Sequence, residues 1–354
     1  MSTWPDTRII DLLGIDLPII QAPMAGSTSP QMVIAASQAG ALGSMPAATL
    51  SLEQLRQALS TIRQASARPL NVNFFCHQPP APAPERDRQW KAMLEPYYRE
   101  LGADFDAPTP VSNRAPFDTA SCEVVEEFRP EVVSFHFGLP EKALLDRVKA
   151  TGAKVLSSAT TVEEAIWLER HGCDAIIAMG YEAGGHRGMF LSDRLTSQIG
   201  TMALVPQIVD AVSVPVIAAG GIGDARGMVA AFALGASAVQ IGTAYLFTPE
   251  ATITPAHHQA LHSAQASETA LTNLFTGRPA RGIVNRVMRE LGPINPAAPA
   301  FPLAGGALMP LRALDEADFS SLWAGQALRL GQDLSTRELT LNLARQALAQ
   351  LNKR

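Results

Sequence analysis

The chain has 354 residues, of which 47% are hydrophobic and 17% charged, a balance typical of a globular protein and not of a disordered one. A net charge of −5 without a basic tract argues against nucleic acid as a partner. The chain has no run of about 18 apolar residues, so the sequence predicts no membrane span. Three scattered cysteines are too few for a disulfide framework or a zinc site, so we expect no metal and a reducing cytoplasm.

Eight short apolar runs alternate with helical patterns between Leu17 and Leu246. Strands that alternate with helices pair in parallel through right-handed crossovers, and eight such units predict a closed (β/α)8 TIM barrel. The alternative is an open doubly wound sheet, which would need a Gly-rich dinucleotide turn after the first strand. Residues 21–26 read Gln-Ala-Pro-Met-Ala-Gly and contain no such turn. The predicted strands are Pro18–Met24, Ala41–Met45, Pro69–Phe75, Val132–Phe137, Lys154–Ser158, Ala175–Met179, Pro215–Ala219 and Ala238–Ile241. The predicted helices between them are Gln31–Gln38, Leu52–Gln64, Cys122–Phe128, Glu141–Lys149, Val162–Arg170, Gly200–Ala211 and Ala225–Leu234.

Two segments interrupt this alternation. Cys76–Phe117 follows the third strand and predicts a helix around Glu85–Leu101, and Thr248–Pro310 contains a loop-like stretch at Gly292–Pro302. Loops that follow barrel strands lie on the C-terminal face, so we expect both segments to form a lid or small substrate domain over the mouth. The predicted division is a barrel at 8–247, a substrate segment at 248–314 and C-terminal helices at 315–354. Of these, Phe319–Leu351 is expected to be helical and to pack on the barrel.

Glycines end the two last predicted strands. Gly220 and Gly221 follow the seventh strand and Gly242 follows the eighth, while Asp224 is a good N-cap for the next helix. Backbone N–H groups at such turns bind anions, and glycine allows the backbone to approach a phosphate closely. Because these loops are the usual phosphate position of the fold, we predict a phosphate site here. The alternative is that the turns serve barrel closure alone.

A histidine lies in a Gly-rich loop directly after the sixth strand. The loop reads Gly-Tyr-Glu-Ala-Gly-Gly-His-Arg-Gly over residues 180–188, and His186 has no nearby cysteine or second histidine with which to bind a metal. An imidazole is the side chain best suited to accept a proton at neutral pH, so His186 is the candidate base. The alternative is an ordinary surface histidine. Glu182 could pair with Arg187 or cap a turn.

Three further side chains end strands at the same face. His136 ends the fourth strand and should face the mouth, although a hydrogen-bonded core histidine is an equal interpretation. Asn73, near the end of the third strand, needs a buried polar partner, which a cofactor in the mouth would supply. Met24 ends the first strand and could pack on a cofactor ring or simply in the core.

These residues together resemble the nitronate monooxygenase family. The resemblance covers most of the chain and rests on residues 21–24, 71–74, 133–138, 182–188, 218–221, 240–243 and 322–326. It implies a barrel that holds FMN non-covalently, with His186 as the catalytic base. It also implies oxidation of alkyl nitronates by O₂ to carbonyl compounds and nitrite without a nicotinamide cofactor. The cofactor contacts that it implies are Ala22, Pro23, Met24, Asn73, Gly184, Gly221, Gln240, Ile241, Gly242 and Thr243. We also expect Met179, Gly185 and Gly220 to belong to the cofactor site.

The chain departs from the family pattern in two places. Met179 stands where the family commonly has glutamine, and a thioether cannot donate a hydrogen bond to the flavin ring. Well-known bacterial members place tyrosines and a lysine near residues 299–312, where this chain has Phe301, Gly305 and Met309. We therefore expect a substrate pocket formed by His136, Phe301 and Met309 that favours an apolar nitronate or nitroalkane over a carboxylated one.

Two other functions remain open because fold alone does not decide chemistry. One is an NAD(P)H-dependent flavin reductase of quinones or enoyl thioesters on the same barrel, which would consume NADH. The other is a non-catalytic protein that binds flavin or another phosphate ligand, which would turn nothing over. The sequence predicts no oligomeric state.

Overall fold

The barrel predicted from the alternating runs is confirmed. The computed structural model describes residues 4–112, 114–263 and 267–353. The barrel strands are β1 (Ile19–Gln21), β2 (Gly43–Pro46), β3 (Leu70–Phe75), β4 (Val132–His136), β5 (Lys154–Ala159), β6 (Ala175–Met179), β8 (Val216–Ala219) and β9 (Ala238–Ile241). They form one parallel sheet in the order β1-β9-β8-β6-β5-β4-β3-β2. A parallel bridge between Ile20 and Leu42 joins the two ends of this order, so the sheet closes on itself.

Each predicted helix is present, with ends that shift by a few residues. The helices are α1 (Arg8–Leu13), α2 (Pro30–Gln38), α3 (Leu52–Ala65), α4 (Pro84–Leu101), α5 (Thr119–Phe128), α6 (Lys142–Ala150), α7 (Val162–Arg170), α8 (Thr201–Ala211) and α9 (Ala225–Ala233). Short polar side chains fix where several of them begin. Ser51 and Gln54 form a capping box at α3, and Asp224 accepts hydrogen bonds from the first N–H groups of α9, as predicted.

Successive strand residues face two different cores. Ile176 and Val216 point outward to the helices, whereas their neighbours Ile177 and Ile217 point into the barrel. The inner cluster also contains Ile9 and Leu13 from α1. This apolar cluster lies inside the barrel, and the cavity described below lies towards the C-terminal ends of the strands.

The two inserted segments pack on each other. Trp90 and Tyr98 of α4 are buried in a second core with Leu308 and Phe319, and their ring donors reach the carbonyl oxygens of Ala304 (2.9 Å) and Ala307 (2.6 Å). The loop at Gly292–Pro302 is confirmed. Asn113 and residues 264–266 of these segments lie outside the described residues. The elements of the second segment are α10 (Pro255–Leu261), β10 (Thr269–Thr272), β11 (Ala280–Ile283) and α11 (Arg286–Leu291). Two short helices, α12 (Met309–Leu314) and α13 (Glu316–Phe319), begin at its end and follow it. The division of the chain at 248 and 314 stays a prediction.

The prediction that Phe319–Leu351 is helical is wrong for most of residues 320–335, where the structure has only a short 3-10 helix at Leu328–Leu330. The long helix of this part of the chain is α14 (Thr336–Leu351). Its Leu343 and Ala347 pack on the core between the barrel strands and the outer helices. The preceding residues form a loop because their backbone pairs with the edge of β11: Ile283 N donates to Leu322 O (2.8 Å) and Ala324 N to Arg281 O (3.3 Å). Within the described part of the chain, no helix is long and apolar enough to cross a membrane.

Candidate active site

One cavity at the C-terminal ends of the barrel strands contains most of the predicted site residues. The loop at residues 320–335 covers one side of it with Trp323, Ala324 and Gly325. The predicted residues that line it are Ala22, Pro23, Met24, Asn73, His136, Met179, Gly184, Gly185, His186, Gly220, Gly221, Gln240, Gly242 and Thr243. Ile241 is buried between the strands and helices, Phe301 packs beside His186, and Met309 is half-exposed at the start of α12. The structure therefore does not bring Met309 to this cavity.

His186 lies on a short strand that is tied to the inserted segment. This strand, β7 (Gly185–His186), pairs antiparallel with β11. The Nε2 atom of His186 lies 3.0 Å from Thr276 Oγ1. The ring centroid lies 5.3 Å from that of Phe301 and 5.6 Å from that of Trp323. An aromatic wall thus encloses the imidazole on the sides that do not open to the cavity.

The imidazole of His186 is held neutral. Burial lowers its pKa well below the usual histidine value, and the positive charge of Arg114 adds to this effect, followed by His136, Arg278 and His77. A neutral imidazole at the bottom of a cavity can accept a proton from a ligand there.

His136 supports the backbone of His186. Its Nε2 lies 3.0 Å from the carbonyl oxygen of His186, and its Nδ1 lies 3.1 Å from Ser158 Oγ. Because a carbonyl can only accept, Nε2 carries the proton and Nδ1 accepts from the Ser158 hydroxyl. Burial lowers the pKa of His136 to about 4, which keeps this arrangement neutral. His136 is at the mouth as predicted, and both of its ring nitrogens are used within the protein.

A fully buried arginine holds the loop between β6 and His186. Arg187 donates to the carbonyl oxygens of Met179 (2.7 Å) and Gly180 (2.6 Å) and to Gln198 Oε1 (2.8 Å). Glu182 does not pair with it. Its carboxylate instead caps α8, where it accepts from the Thr201 N–H and hydroxyl, each at 2.8 Å. Sequence reasoning named this cap only as an alternative and missed the role of Arg187.

The turn after β8 is the one predicted to bind a phosphate, and we call it the anion cradle. Gly220 and Gly221 adopt φ angles of 105° and 71°, which favour glycine. The backbone N–H groups of Gly220, Gly221 and Gly242 have no acceptor within the residues that the structure describes. A Cβ at Gly220 would lie 3.0 Å from the Ala183 nitrogen, so a side chain there would force the turn to shift. Free N–H groups beside the N-terminus of α9 suit a phosphate.

Asn73 has a buried polar partner within the protein, and its contact with a cofactor stays a prediction. Its Nδ2 donates to Ser134 O (3.2 Å) and Ser134 Oγ (3.0 Å) on the neighbouring strand. Two strands that pair in register bring the amide and the hydroxyl together. Asn73 still lines the cavity, so its amide presents a positioned polar group to whatever binds there.

Comparison with known proteins assigns the family. The family model for nitronate monooxygenases matches residues 6–346. The chain belongs to the nitronate monooxygenase family. It is 42% identical to a nitronate monooxygenase from Pseudomonas aeruginosa over 95% of this chain and 97% of that protein. It is 38% identical to one from Paraburkholderia phytofirmans over 96% of this chain and 94% of that protein.

Solved structures agree with this assignment. A nitroalkane oxidase from Streptomyces ansochromogenes matches with a TM-score of 0.88 and 35% identity, over 98% of this chain and 99% of that one. FabK from Thermotoga maritima is a more distant relative in shape, with a TM-score of 0.73 and 28% identity over 99% of this chain and 98% of that one. The similarity to both extends over the barrel and the inserted segments together.

Proposed function

We propose that this protein is an FMN-dependent nitronate monooxygenase that oxidises alkyl nitronates with O₂ to carbonyl compounds and nitrite. The proposal rests on one observation: the anion cradle at Gly220 and Gly221 and the neutral His186 line the same cavity. A cofactor phosphate and a substrate proton acceptor are thereby available at the same barrel mouth. The family of the chain makes nitronates the substrate class to test first.

The cavity fits FMN better than a dinucleotide. The single turn after β8 supplies free N–H groups for one phosphate, and Asp224 keeps α9 starting at that point. Asn73, Met179 and Gln240 line the space where the ring system would lie. When bound, the flavin supplies the redox chemistry, accepting electrons from the nitronate and passing them to O₂.

The chain's own residues position the substrate and manage its proton. The Nε2 atom of His186 is hydrogen-bonded to the Thr276 hydroxyl, whereas no described residue forms a hydrogen bond with Nδ1. The Nδ1 atom can therefore take a proton from the carbon of a neutral nitroalkane. A nitronate has already lost that proton and needs only to be positioned. Phe75 and Trp323 limit the entry of water beside the imidazole.

The steady-state test uses purified holoenzyme with an alkyl nitronate, with nitroethane, and with NADH plus a quinone. We expect a yellow protein that releases FMN on denaturation, consumes O₂ and forms nitrite with the nitronate alone. Fast NADH oxidation with slow nitronate turnover would assign the protein as a flavin reductase. Bound FMN without any turnover would assign it as a flavin-binding protein.

A further inference from the structure

An arginine that sequence reasoning did not single out lines the same cavity as His186. Arg114 lies between α4 and α5, in the segment inserted after β3. One backbone contact ties this part of the segment to the barrel: Phe117 N donates to Phe75 O at the end of β3 (2.7 Å). The guanidinium is therefore carried by a backbone that is attached to the barrel rim.

Among the residues that the structure describes, none neutralises the charge of Arg114. Across the described ranges, no carboxylate lies within salt-bridge distance of its guanidinium and no side-chain hydrogen bond is made by it. Burial lowers the pKa of Arg114, and the positive charge of Arg312 lowers it further. A guanidinium offers five N–H donors, and withdrawing them from water without acceptors is costly.

The other arginines around the site differ in this respect. Arg187 donates to three acceptors, and Arg281 donates to the carbonyl oxygen of Tyr181 and to Thr269. Arg278 donates to the carbonyl oxygen of Met189 and lies 4.1 Å from the centre of the Phe137 ring. Of these cations Arg114 is the one whose donors are left for a ligand in the cavity.

Arg114 lies on the opposite side of the barrel from the anion cradle. In the closed order of eight strands, β3 is four positions from β8 in either direction. Of the charged groups that lower the pKa of His186, Arg114 has the largest effect, ahead of His136, Arg278 and His77. The backbone that carries Arg114 is thus attached to the rim across the barrel from the site proposed for the cofactor phosphate, and Arg114 lines the same cavity as the proposed base.

We propose that Arg114 forms an anion subsite that binds the two oxygens of the substrate's nitronate group. This inference rests on the proposed function. A nitronate spreads one negative charge over two oxygens in a plane, and the guanidinium fork matches such a pair bidentately. This chain lacks the lysine that family members place near Met309, and Arg114 supplies a cation to the pocket from the segment inserted after β3. The subsite selects the anionic nitronate over the neutral nitroalkane.

The kinetic test compares Arg114→Gln and Arg114→Lys with Arg312→Gln, using an alkyl nitronate and nitroethane. Arg312→Gln is the matched control because it removes one exposed charge that lies outside the cavity lining. Because Arg114→Gln removes hydrogen bonds to a charged group, we expect kcat/KM for the nitronate to fall by roughly 10- to 100-fold, mainly through a higher KM. We expect a much smaller loss for nitroethane, partial rescue by Arg114→Lys and no change with Arg312→Gln.

A second readout does not depend on turnover. Nitrate is a planar anion with the same N–O oxygens, and its binding is titrated by the shift in thermal unfolding of each holoenzyme. We expect roughly tenfold weaker nitrate binding by Arg114→Gln than by wild type or Arg312→Gln, at equal flavin content. If wild type binds nitrate in this way but oxidises no nitronate, the proposed function fails while the anion subsite stands. Unchanged nitrate binding and nitronate KM in Arg114→Gln, or equal losses in Arg312→Gln, would overturn the subsite.

Discussion

Replacement of His186 by asparagine should affect two related substrates unequally. A neutral nitroalkane must give up a carbon-bound proton, and general-base catalysis is typically worth about 10²- to 10⁴-fold. At 1.36 kcal/mol per factor of ten, this is about 3–5 kcal/mol of transition-state stabilisation. A nitronate needs no base. For the nitronate, the replacement only breaks the 3.0 Å contact between His186 and Thr276, which contributes about 0.5–1.5 kcal/mol. The nitronate should therefore lose roughly 2- to 13-fold in activity. The nitroalkane should therefore lose at least about tenfold more activity than the nitronate.

The assay measures kcat/KM for nitroethane and its nitronate on one preparation, with flavin content determined for each variant. Thr276→Val is the matched control, because it removes the contact with Nε2 and leaves the imidazole in place; both substrates should lose activity by a similar small factor. Since the pKa of His186 lies well below the usual value, wild-type nitroethane activity should be level through neutral pH and fall only in acid, where the base becomes protonated. Equal losses for the two substrates in His186→Asn would show that the residue positions ligands and removes no proton.

Two further predictions concern cofactor binding and folding. Gly220→Val should lower flavin content, because φ is 105° and a Cβ would lie 3.0 Å from the Ala183 nitrogen; released flavin per protein measures this, and full occupancy would argue against the cradle. The free energy of unfolding should fall as the pH drops from about 6.5 to about 4. The pKa values of His77, His136 and His257 are lowered to about 4 in the folded chain, so the unfolded chain binds more protons in this range. Urea titrations of wild type and His257→Gln across this range test the point, and the variant should show a shallower pH dependence.

The barrel was predictable because local pattern and tertiary environment agree along most of the chain. Ile176 and Ile177 belong to the same apolar run, and a run buried on both faces is what a barrel strand requires. The capping residues Asp224 and Ser51 accept from N–H groups two or three positions later, so their roles can be deduced from sequence alone. The glycines after β8 were recognisable for the same local reason.

The remaining features depend on contacts between distant segments. The two-residue strand at Gly185–His186 exists only because it pairs with β11, nearly a hundred positions later. Asn73 finds its partner in Ser134, and residues 320–335 lose their expected helix to pairing with the same β11 edge. Arg114 carries no local motif. Its significance comes from the cavity that it shares with His186, and from the lack of a carboxylate around it in the described part of the structure.

The most direct test of the account is anaerobic mixing of the holoenzyme with an alkyl nitronate or with NADH, and then addition of O₂. The flavin absorbance is recorded at each stage. We predict rapid bleaching by the nitronate, recovery of the absorbance when O₂ is added, nitrite in the product, and no comparable bleaching by NADH. Rapid bleaching by NADH with an unchanged spectrum in the presence of nitronate would contradict nitronate oxidation as the function of this site.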